Sequence, residues 1–403
     1  TNGDNDTFPL WYAQEVEGIR PDVRVINLSL LGVDWYIQQL KYRWNQSAPV
    51  KISFTDEQVQ ASNRDVVRYS PTPGITDETP LDLKKVMQFI ASDDPKNKVS
   101  SGQGEMENFL PTRTFYLDID TNKAKAMNML DPADYAQLTS RMNWQIGSGT
   151  LLKNDLLTLD IVANNIMERP IYFAVSVSSD AYEGLDKYFQ LEGLTYRIVP
   201  RESGSKGHQT APVRNDVAYE NMMKKFKFGG VETYPDLYID ENIQRMFMNL
   251  RGNYARLAES LSVKGDTKKA VEVIDYALKM MPAKLIPYNV FNASYPEFYY
   301  AAGDKEKARK LSDELLARAK DELQYWQFIY KIQLEKAADS GDRGYLTQLQ
   351  QGYFMQNRPI QEQLYILQEL SSIAKRFDPE MAAKLEKEFK DAQASFVKDM
   401  PRS

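Results

Sequence analysis

Apolar and polar residues alternate along the first half of the chain in short runs with two different periods. Runs rich in β-branched and aromatic residues predict strands, and the runs of helical period between them predict helices, which is typical of a layered α/β fold. The predicted strands are 23–30, 50–54, 114–119, 171–177 and 194–199. The predicted helices are 8–17, 35–42, 81–91 and 151–167. The pattern therefore predicts a Rossmann-like three-layer α/β domain over residues 1–205.

A different pattern follows a polar stretch at 206–235, which we predict to be a linker. From residue 236 onward the strand pattern disappears, and small and apolar residues recur at the spacing of a tetratricopeptide repeat. The turn Gly265-Asp266 recurs at equal intervals as Gly303-Asp304 and Gly341-Asp342. We therefore predict tetratricopeptide-like helical repeats over 236–403. The residues of the repeat signature are Tyr254, Leu257, Ala258, Gly265, Asp266, Ala270, Ala277 and Pro282.

Such repeats have a functional implication. One helix pair cannot bury its own apolar face, so stacked pairs share a continuous core and leave a concave surface that usually binds another chain. We expect a protein partner or acceptor on these helices. The alternative is that three or four helix pairs only cover the α/β domain.

Composition and charge exclude several kinds of chemistry. The chain has no cysteine, which excludes disulfides, thiol catalysis and cysteine-based metal sites. Its single histidine, His208, lies in a loop-like stretch, where a solvated side chain is favoured over a Ser-His-Asp relay. The formal net charge of −6 argues against a nucleic-acid partner. No apolar run approaches the roughly 18 residues that span a bilayer.

A polar cluster at residues 2–7 precedes the first predicted helix and is the candidate ligand-binding segment. Its members are Asn2, Asp4, Asn5, Asp6 and Thr7. Ligands of open α/β sheets bind where strand ends meet helix N-termini, so carboxylates there are well placed. Asp4 and Asp6 have the spacing of a pair that holds a divalent cation through oxygen ligands. The alternative is structural, with Asp6 or Thr7 as the N-cap of the following helix.

Two further carboxylates follow predicted strands. Asp34 comes after strand 23–30, and Asp180 comes after strand 171–177. If these strands are parallel, both side chains lie on the same edge of the sheet as Asp4 and Asp6. We therefore add Asp34 and Asp180 to the candidate ligand-binding residues.

Two segments together resemble a known family. They are residues 1–45, with Thr1-Asn-Gly-Asp-Asn-Asp-Thr-Phe-Pro-Leu-Trp-Tyr12 and Asp34-Trp-Tyr36, and the strand Arg169-Pro-Ile-Tyr-Phe-Ala174. They resemble a Bacteroidetes family of protein O-mannosyltransferase-like membrane proteins, whose members have a multi-helix membrane domain followed by a further portion. The resemblance implies that this chain is the C-terminal portion, beginning just inside its first strand, and that it lies in the periplasm next to its own upstream membrane domain.

The resemblance also has implications for chemistry. Type C glycosyltransferases, which the family resembles, use a lipid-linked sugar donor, and their catalytic acidic residue lies between membrane helices. The resemblance therefore implies a lipid-linked donor for the whole protein and assigns no catalytic residue to this chain. The only residues that it leaves as catalytic candidates are Asp4 and Asp6, whose motif belongs to the family. The spacing of these two residues, as argued above, makes a divalent cation the candidate cofactor.

Three functional hypotheses follow. In the first, the chain is a periplasmic, non-catalytic module that binds or presents an acceptor or partner protein through its helical repeats. In the second, the α/β domain is itself a sugar-binding, metal-binding or catalytic unit that uses Asp4 and Asp6. In the third, the chain is a structural scaffold in an envelope complex.

Overall fold

The change from a strand-forming to a helix-forming pattern corresponds to two separate units. A computed structural model describes residues 1–100, 104–204, 211–234, 236–341, 343–347, 349 and 357–398. Unit 1 is Thr1–Arg214 and unit 2 is Asn215–Ser403. Unit 1 is α/β, and the described residues of unit 2 contain helices and no strand. The predicted order, an α/β part followed by an all-α part, is confirmed.

The elements of unit 1 are mostly short. Its α-helices are α1 (Asp4–Glu15), α2 (Asp34–Leu40), α3 (Leu83–Ala91), α4 (Thr121–Ala126) and α5 (Lys153–Asn165). Its strands are β1 (Val66–Tyr69), β2 (Leu81–Asp82), β3 (Lys98–Ser100), β4 (Met106–Leu110), β5 (Thr114–Asp118), β6 (Arg141–Gln145), β7 (Thr150–Leu152), β8 (Tyr172–Ala174), β9 (Phe189–Leu191) and β10 (Thr195–Ile198).

The described strands form three small sheets. One has the order β3-β4-β1-β7, in which β1 is parallel to β4 and antiparallel to β7. The second, β8-β10-β9, is antiparallel throughout. The third, β2-β5-β6, has one parallel pair, β2 with β5. The Rossmann-like detail of the prediction is not confirmed, because most pairs of described strands are antiparallel and the strands do not form one sheet.

Helix α5 is buried on nearly every side. Its apolar residues, such as Leu156, Leu159 and Val162, are buried in the core of unit 1. Polar residues on the same helix, including Asp160 and Asn165, are buried as well. A helix buried all round belongs to the interior rather than to the surface layer of a domain. Each buried polar group on it must therefore find a hydrogen-bond partner in its surroundings.

The predicted strand 50–54 is wrong, and the polar residues of α5 give the reason. Lys51 donates its amide to Asn165 Oδ1 at 3.1 Å, and its carbonyl accepts from Asn165 Nδ2 at 2.8 Å. The Ser53 amide donates to Asp160 Oδ2 at 2.9 Å. Side chains of α5 thus make the hydrogen bonds to these backbone groups that a neighbouring strand would otherwise make. The segment keeps its buried residues Val50 and Phe54 without joining a sheet.

The predicted strand 23–30 is also absent. The Asn27 amide donates to the Tyr36 hydroxyl at 2.9 Å, and the Leu28 amide donates to the Thr1 carbonyl at 2.9 Å. A 3₁₀ turn over Leu30–Gly32 ends the segment. The backbone therefore pairs with Thr1 and with a tyrosine of α2 instead of with a strand. The strands predicted at 114–119, 171–177 and 194–199 are confirmed, with shorter bounds, as β5, β8 and β10.

Unit 2 begins inside the segment that we predicted to be a linker. Its elements are α6 (Asn215–Glu220), a π-helix (Asn221–Lys225), α7 (Glu241–Val263), α8 (Thr267–Met280), α9 (Tyr295–Ala301), α10 (Lys305–Ser340), α11 (Arg358–Phe377) and α12 (Pro379–Lys398). Part of the predicted linker is therefore helical. His208 lies outside the described residues, and so does Asp342.

The repeat signature falls on the pair α7–α8. Its members Tyr254, Leu257, Ala258, Ala270 and Ala277 are fully buried. Gly265 has φ +86°, and Asp266 then caps α8 by accepting from the Lys269 amide at 3.2 Å. Asp304 caps α10 in the same way. The tetratricopeptide assignment itself is not confirmed, because α9 has 7 residues and α10 has 36, whereas a regular repeat pairs two helices of similar length.

Two buried charges hold the helices of unit 2 together. The Arg251 guanidinium donates to the carbonyls of Met281 at 2.7 Å and Ile286 at 2.6 Å, which fixes the segment after α8. Asp378, between α11 and α12, accepts from Arg309 Nε of α10 at 2.5 Å. This hydrogen bond lowers the pKa of Asp378. Ion pairs of this kind fix which helices neighbour one another, because an unpaired buried charge is strongly destabilising.

The contacts of α5 lead to a stability prediction. The substitution Asn165→Ala leaves the amide and the carbonyl of Lys51 without their partners. Each unsatisfied group costs about 1 to 3 kcal/mol, so we expect the free energy of unfolding to fall by roughly 2 to 4 kcal/mol. Urea denaturation measures it. The exposed Asn122→Ala is the matched control, and an equally small change in both variants would contradict the role of Asn165.

Candidate functional site

The polar cluster at residues 2–7 forms the start of α1. The helix begins at Asp4 after Gly3, which has φ +89°, and no side chain caps it. The expectation that Asp6 or Thr7 is the N-cap is therefore wrong, because both residues already lie within the helix. Thr7 is fully buried and accepts from Asn27 Nδ2 at 2.9 Å. Its role is to attach α1 to the segment that follows.

Asp4 and Asp6 lie in the first turn of α1, where negative charge favours the helix dipole. The Asp6 carboxylate accepts a hydrogen bond from the Ser176 hydroxyl, whereas Asp4 and Asn5 are exposed. The described residues contain no group of three or more His, Cys, Asp or Glu side chains that could hold a metal ion. The divalent cation at Asp4 and Asp6 stays a prediction.

A cleft of about 520 Å³ lies beside the N-terminal end of α5. We call it the acidic cleft. It contains Asn2 and Asp180 from the predicted set, together with residues that the sequence analysis did not single out. The residues lining it are Asn2, Leu28, Ser29, Ser148, Thr150, Leu152, Asn154, Asp155, Asp180, Ala181 and Glu183. Most of these side chains carry a hydroxyl, an amide or a carboxylate.

The carboxylates of the acidic cleft have different electrostatic environments. Burial, together with the nearby charges of Asp155 and Asp180, raises the pKa of Glu183 to about 8. The hydrogen bond from the Ser178 hydroxyl lowers the pKa of Asp180. Glu183 is therefore protonated at neutral pH and can donate a hydrogen bond, while Asp180 is ionised and can only accept. The cleft thus offers both kinds of partner within one small space.

The backbone turn that carries Glu183 is conformationally unusual. Glu183 has φ +50°, in the left-handed region, and Gly184 follows with φ +72°. A Cβ added to Gly184 would lie 2.5 Å from the Gln145 carbonyl oxygen, so that position requires glycine. Left-handed non-glycine residues persist only where the surroundings enforce them, and they cluster at functional sites. The turn fixes where the Glu183 side chain lies.

Asp155 closes the first turn of α5. Its carboxylate accepts from the Leu152 amide at 2.9 Å, which satisfies one of the free amides at the helix start. Burial raises the pKa of Asp155, and the negative charge of Asp180 raises it further. The positive end of the helix dipole is thus already neutralised from within the chain.

A second cleft of about 340 Å³ adjoins the first, and we call it the side cleft. It contains Asp34, and it shares Leu152 and Asn154 with the acidic cleft. The Lys153 ammonium donates to the Val59 carbonyl at 3.0 Å and forms an ion pair with Asp65. The residues lining it are Gly32, Val33, Asp34, Ala61, Asp65, Leu152, Lys153 and Asn154.

The structure thus brings together part of the predicted set. Asn2 and Asp180 line the acidic cleft, and Asp34 lines the side cleft next to it. Asp4, Asn5, Asp6 and Thr7 line neither cleft. The common feature is the N-terminal end of α5 beside the edge strand β7, rather than the end of a parallel sheet.

Sequence reasoning missed Asn154, Asp155 and Glu183. Asn154 and Asp155 open the helix that was predicted at 151–167, so polar residues in its first turn were the available signal. No comparable signal existed for Glu183, because its place in the cleft depends on a turn between distant elements.

Fold and cleft define the class: an α/β unit with a polar, acidic cleft, followed by an α-helical unit. The model of the TMEM260-associated domain 2 family matches residues 1–217, more than half of the chain. The chain therefore belongs to the TMEM260-associated domain 2 family. TMEM260 is an O-mannosyltransferase-like membrane protein. No curated protein and no solved structure gives a significant match.

A helix that spans a membrane must be both long and apolar. In the part of the chain that the structure describes, no helix is long and apolar enough to cross a bilayer.

The environment of Glu183 leads to a pH-dependent prediction. A carboxyl whose pKa rises from 4.5 to about 8 on folding destabilises the fold increasingly as pH rises through that interval. Glu183→Gln removes this cost. The full shift at about 1.4 kcal/mol per pKa unit is an upper bound, because solvent screens this partly exposed side chain, so at pH 9 we expect the variant to be more stable by roughly 1 to 3 kcal/mol. At pH 4 the difference should be near zero.

Urea denaturation at both pH values measures this effect. Exposed Glu105→Gln is the matched control and should show no such pH dependence. The same stability difference at pH 4 and pH 9 would contradict the raised pKa of Glu183.

Proposed function

We propose that this chain is an acceptor-binding module of a membrane glycosyltransferase-like protein, and that the acidic cleft of unit 1 binds a hydroxyl-rich ligand. The observation that carries the proposal is the lining of this cleft. Carboxylate and hydroxyl side chains, together with the side-chain amides of Asn2 and Asn154, line a volume of about 520 Å³, which is within the usual range of ligand pockets. The family association supplies the link to glycosyl transfer.

The chemistry of a sugar matches this lining. Each sugar hydroxyl both donates and accepts hydrogen bonds, so it needs partners of both kinds. Asp180 accepts, protonated Glu183 donates, and Asn154 does both. The exposed apolar side chain of Leu152 offers a surface for the C–H face of a ring. We place the module on the periplasmic side of the membrane, as the sequence resemblance implies.

Binding of simple sugars tests the proposal. We expect the chain to bind at least one methyl hexoside among the manno, gluco, galacto and N-acetylglucosamine series, as seen by ligand-observed NMR. Asp180→Ala removes an ionised acceptor, which is worth about 1.5 to 3 kcal/mol, so affinity should fall roughly 10- to 100-fold. Asp186 lines neither cleft, so Asp186→Asn is the matched control. No binding by any of these sugars would overturn the proposal.

A second candidate function rests on unit 2. Tyr325 and Phe328 of α10 are 54 % and 60 % exposed, and their spacing of three residues puts both on one face of the helix. Exposed aromatic side chains on a helix are typical anchors for a polypeptide partner. We propose that this face contacts the polypeptide part of an acceptor or a partner protein.

Site-specific photo-crosslinking tests the second function. A photoreactive residue in place of Phe328, in the full-length protein in its host, should give a defined protein adduct. The same residue at exposed Lys310 of the same helix is the control and should give none. Equal labelling from both positions, or no adduct from either, would contradict a docking role for this face.

A further inference from the structure

The two clefts of unit 1 adjoin each other. The acidic cleft and the side cleft share Leu152 and Asn154, the residues at the junction of β7 and α5. The combined surface, which we call the α5 groove, crosses the N-terminal end of the helix. Asp180 and Glu183 lie in the acidic cleft, and Asp34 lies in the side cleft. Leu152 and Asn154 thus contribute to the lining of both clefts, which places the two clefts next to each other.

The charge of the α5 groove is negative along its length. The carboxylates of Asp155 and Asp180 line the acidic cleft beside Glu183, which is protonated at neutral pH, and no Lys, Arg or His is among the described residues that line it. Lys153 is the one cation among the described residues that line the side cleft. It is 4 % exposed and already held by Asp65 and backbone carbonyls. Among the described residues that line the groove, no cation is therefore free to bind an anionic ligand.

A helix N-terminus often binds an anion. Whether the groove favours a charged or an uncharged ligand therefore depends on what already occupies the N-terminal end of α5. Here Asp155 accepts the Leu152 amide at 2.9 Å and places a carboxylate where an anion would bind. A phosphate approaching this point would meet like charge. In a partly desolvated cleft, like charges repel more strongly than in water.

We propose that the α5 groove binds an uncharged glycan of at least two sugar units and rejects a sugar that carries a phosphate. This inference rests on the proposed function, because it specifies which sugar ligands the same site takes. The acidic cleft holds one ring, and the side cleft holds the next, with Asn154 between them. The groove thus selects the glycan of an acceptor or product over a phosphate-linked donor.

Calorimetry with the 403-residue chain tests this selectivity. The probes are methyl α-mannoside, α-linked mannobiose and mannose 1-phosphate, with the corresponding glucose series in parallel. We expect the disaccharide to bind at least about tenfold more tightly than the monosaccharide, and the sugar phosphate at least about tenfold more weakly.

Two variants make the test specific. Asp34→Ala removes a carboxylate that lines the side cleft and not the acidic cleft, so it should reduce the advantage of the disaccharide to about threefold or less while leaving monosaccharide binding close to that of the native chain. Asp180→Asn removes a negative charge and should bring the affinity for the sugar phosphate closer to that for the neutral sugar. Asp186→Asn should change neither ratio, and circular dichroism establishes that each variant is folded.

The outcomes separate the inference from the proposed function. Equal affinities for monosaccharide and disaccharide, or a sugar phosphate that binds as tightly as the neutral sugar, would overturn the inference while leaving sugar binding in place. Failure of every sugar to bind would overturn both.

Discussion

Helix α5 is the element on which unit 1 depends, because it carries buried polar residues into the core. Asp160 and Asn165 supply hydrogen bonds to backbone groups of Lys51 and Ser53, so the chain can cross the helix without a strand beside it. Lys153 does the same for the carbonyls of Val59 and Gln60. A buried backbone group must be paired, and here side chains of one helix provide the pairing.

The position of α5 also determines the chemistry at its first turn. The helix begins at Lys153, directly after the edge strand β7, so its N-terminal end opens onto the surface where the clefts lie. Asp155 accepts a hydrogen bond from the Leu152 amide within this turn. Asp180 and Glu183 come from a distant turn of the chain. Burial disfavours the charged form of Glu183, and the negative charges of Asp155 and Asp180 disfavour it further. Together they raise the pKa of Glu183 to about 8. Helix α5 thus positions residues of both the core and the candidate site.

In unit 2, local periodicity predicted the helix pairs better than it predicted their lengths. The signature residues Tyr254, Leu257 and Ala270 are buried in the α7–α8 pair as expected, and Asp266 caps α8. Helix α10 instead continues through 36 residues, because Lys305–Ser340 contains no Gly or Pro to end it. Its partners are then selected by long-range contacts such as the ion pair of Arg309 with buried Asp378, which no periodicity encodes.

The sequence by itself determined the α/β-then-α order, the presence of α3 and α5, and several strands, because these depend on local hydrophobic periodicity. It also placed Asn2, Asp34 and Asp180 among the candidate ligand residues. Only the tertiary structure decided that 50–54 pairs with side chains and that Glu183 joins Asp155 in one cleft. Both outcomes depend on contacts between residues distant in sequence, and such contacts leave no trace in local patterns of polarity.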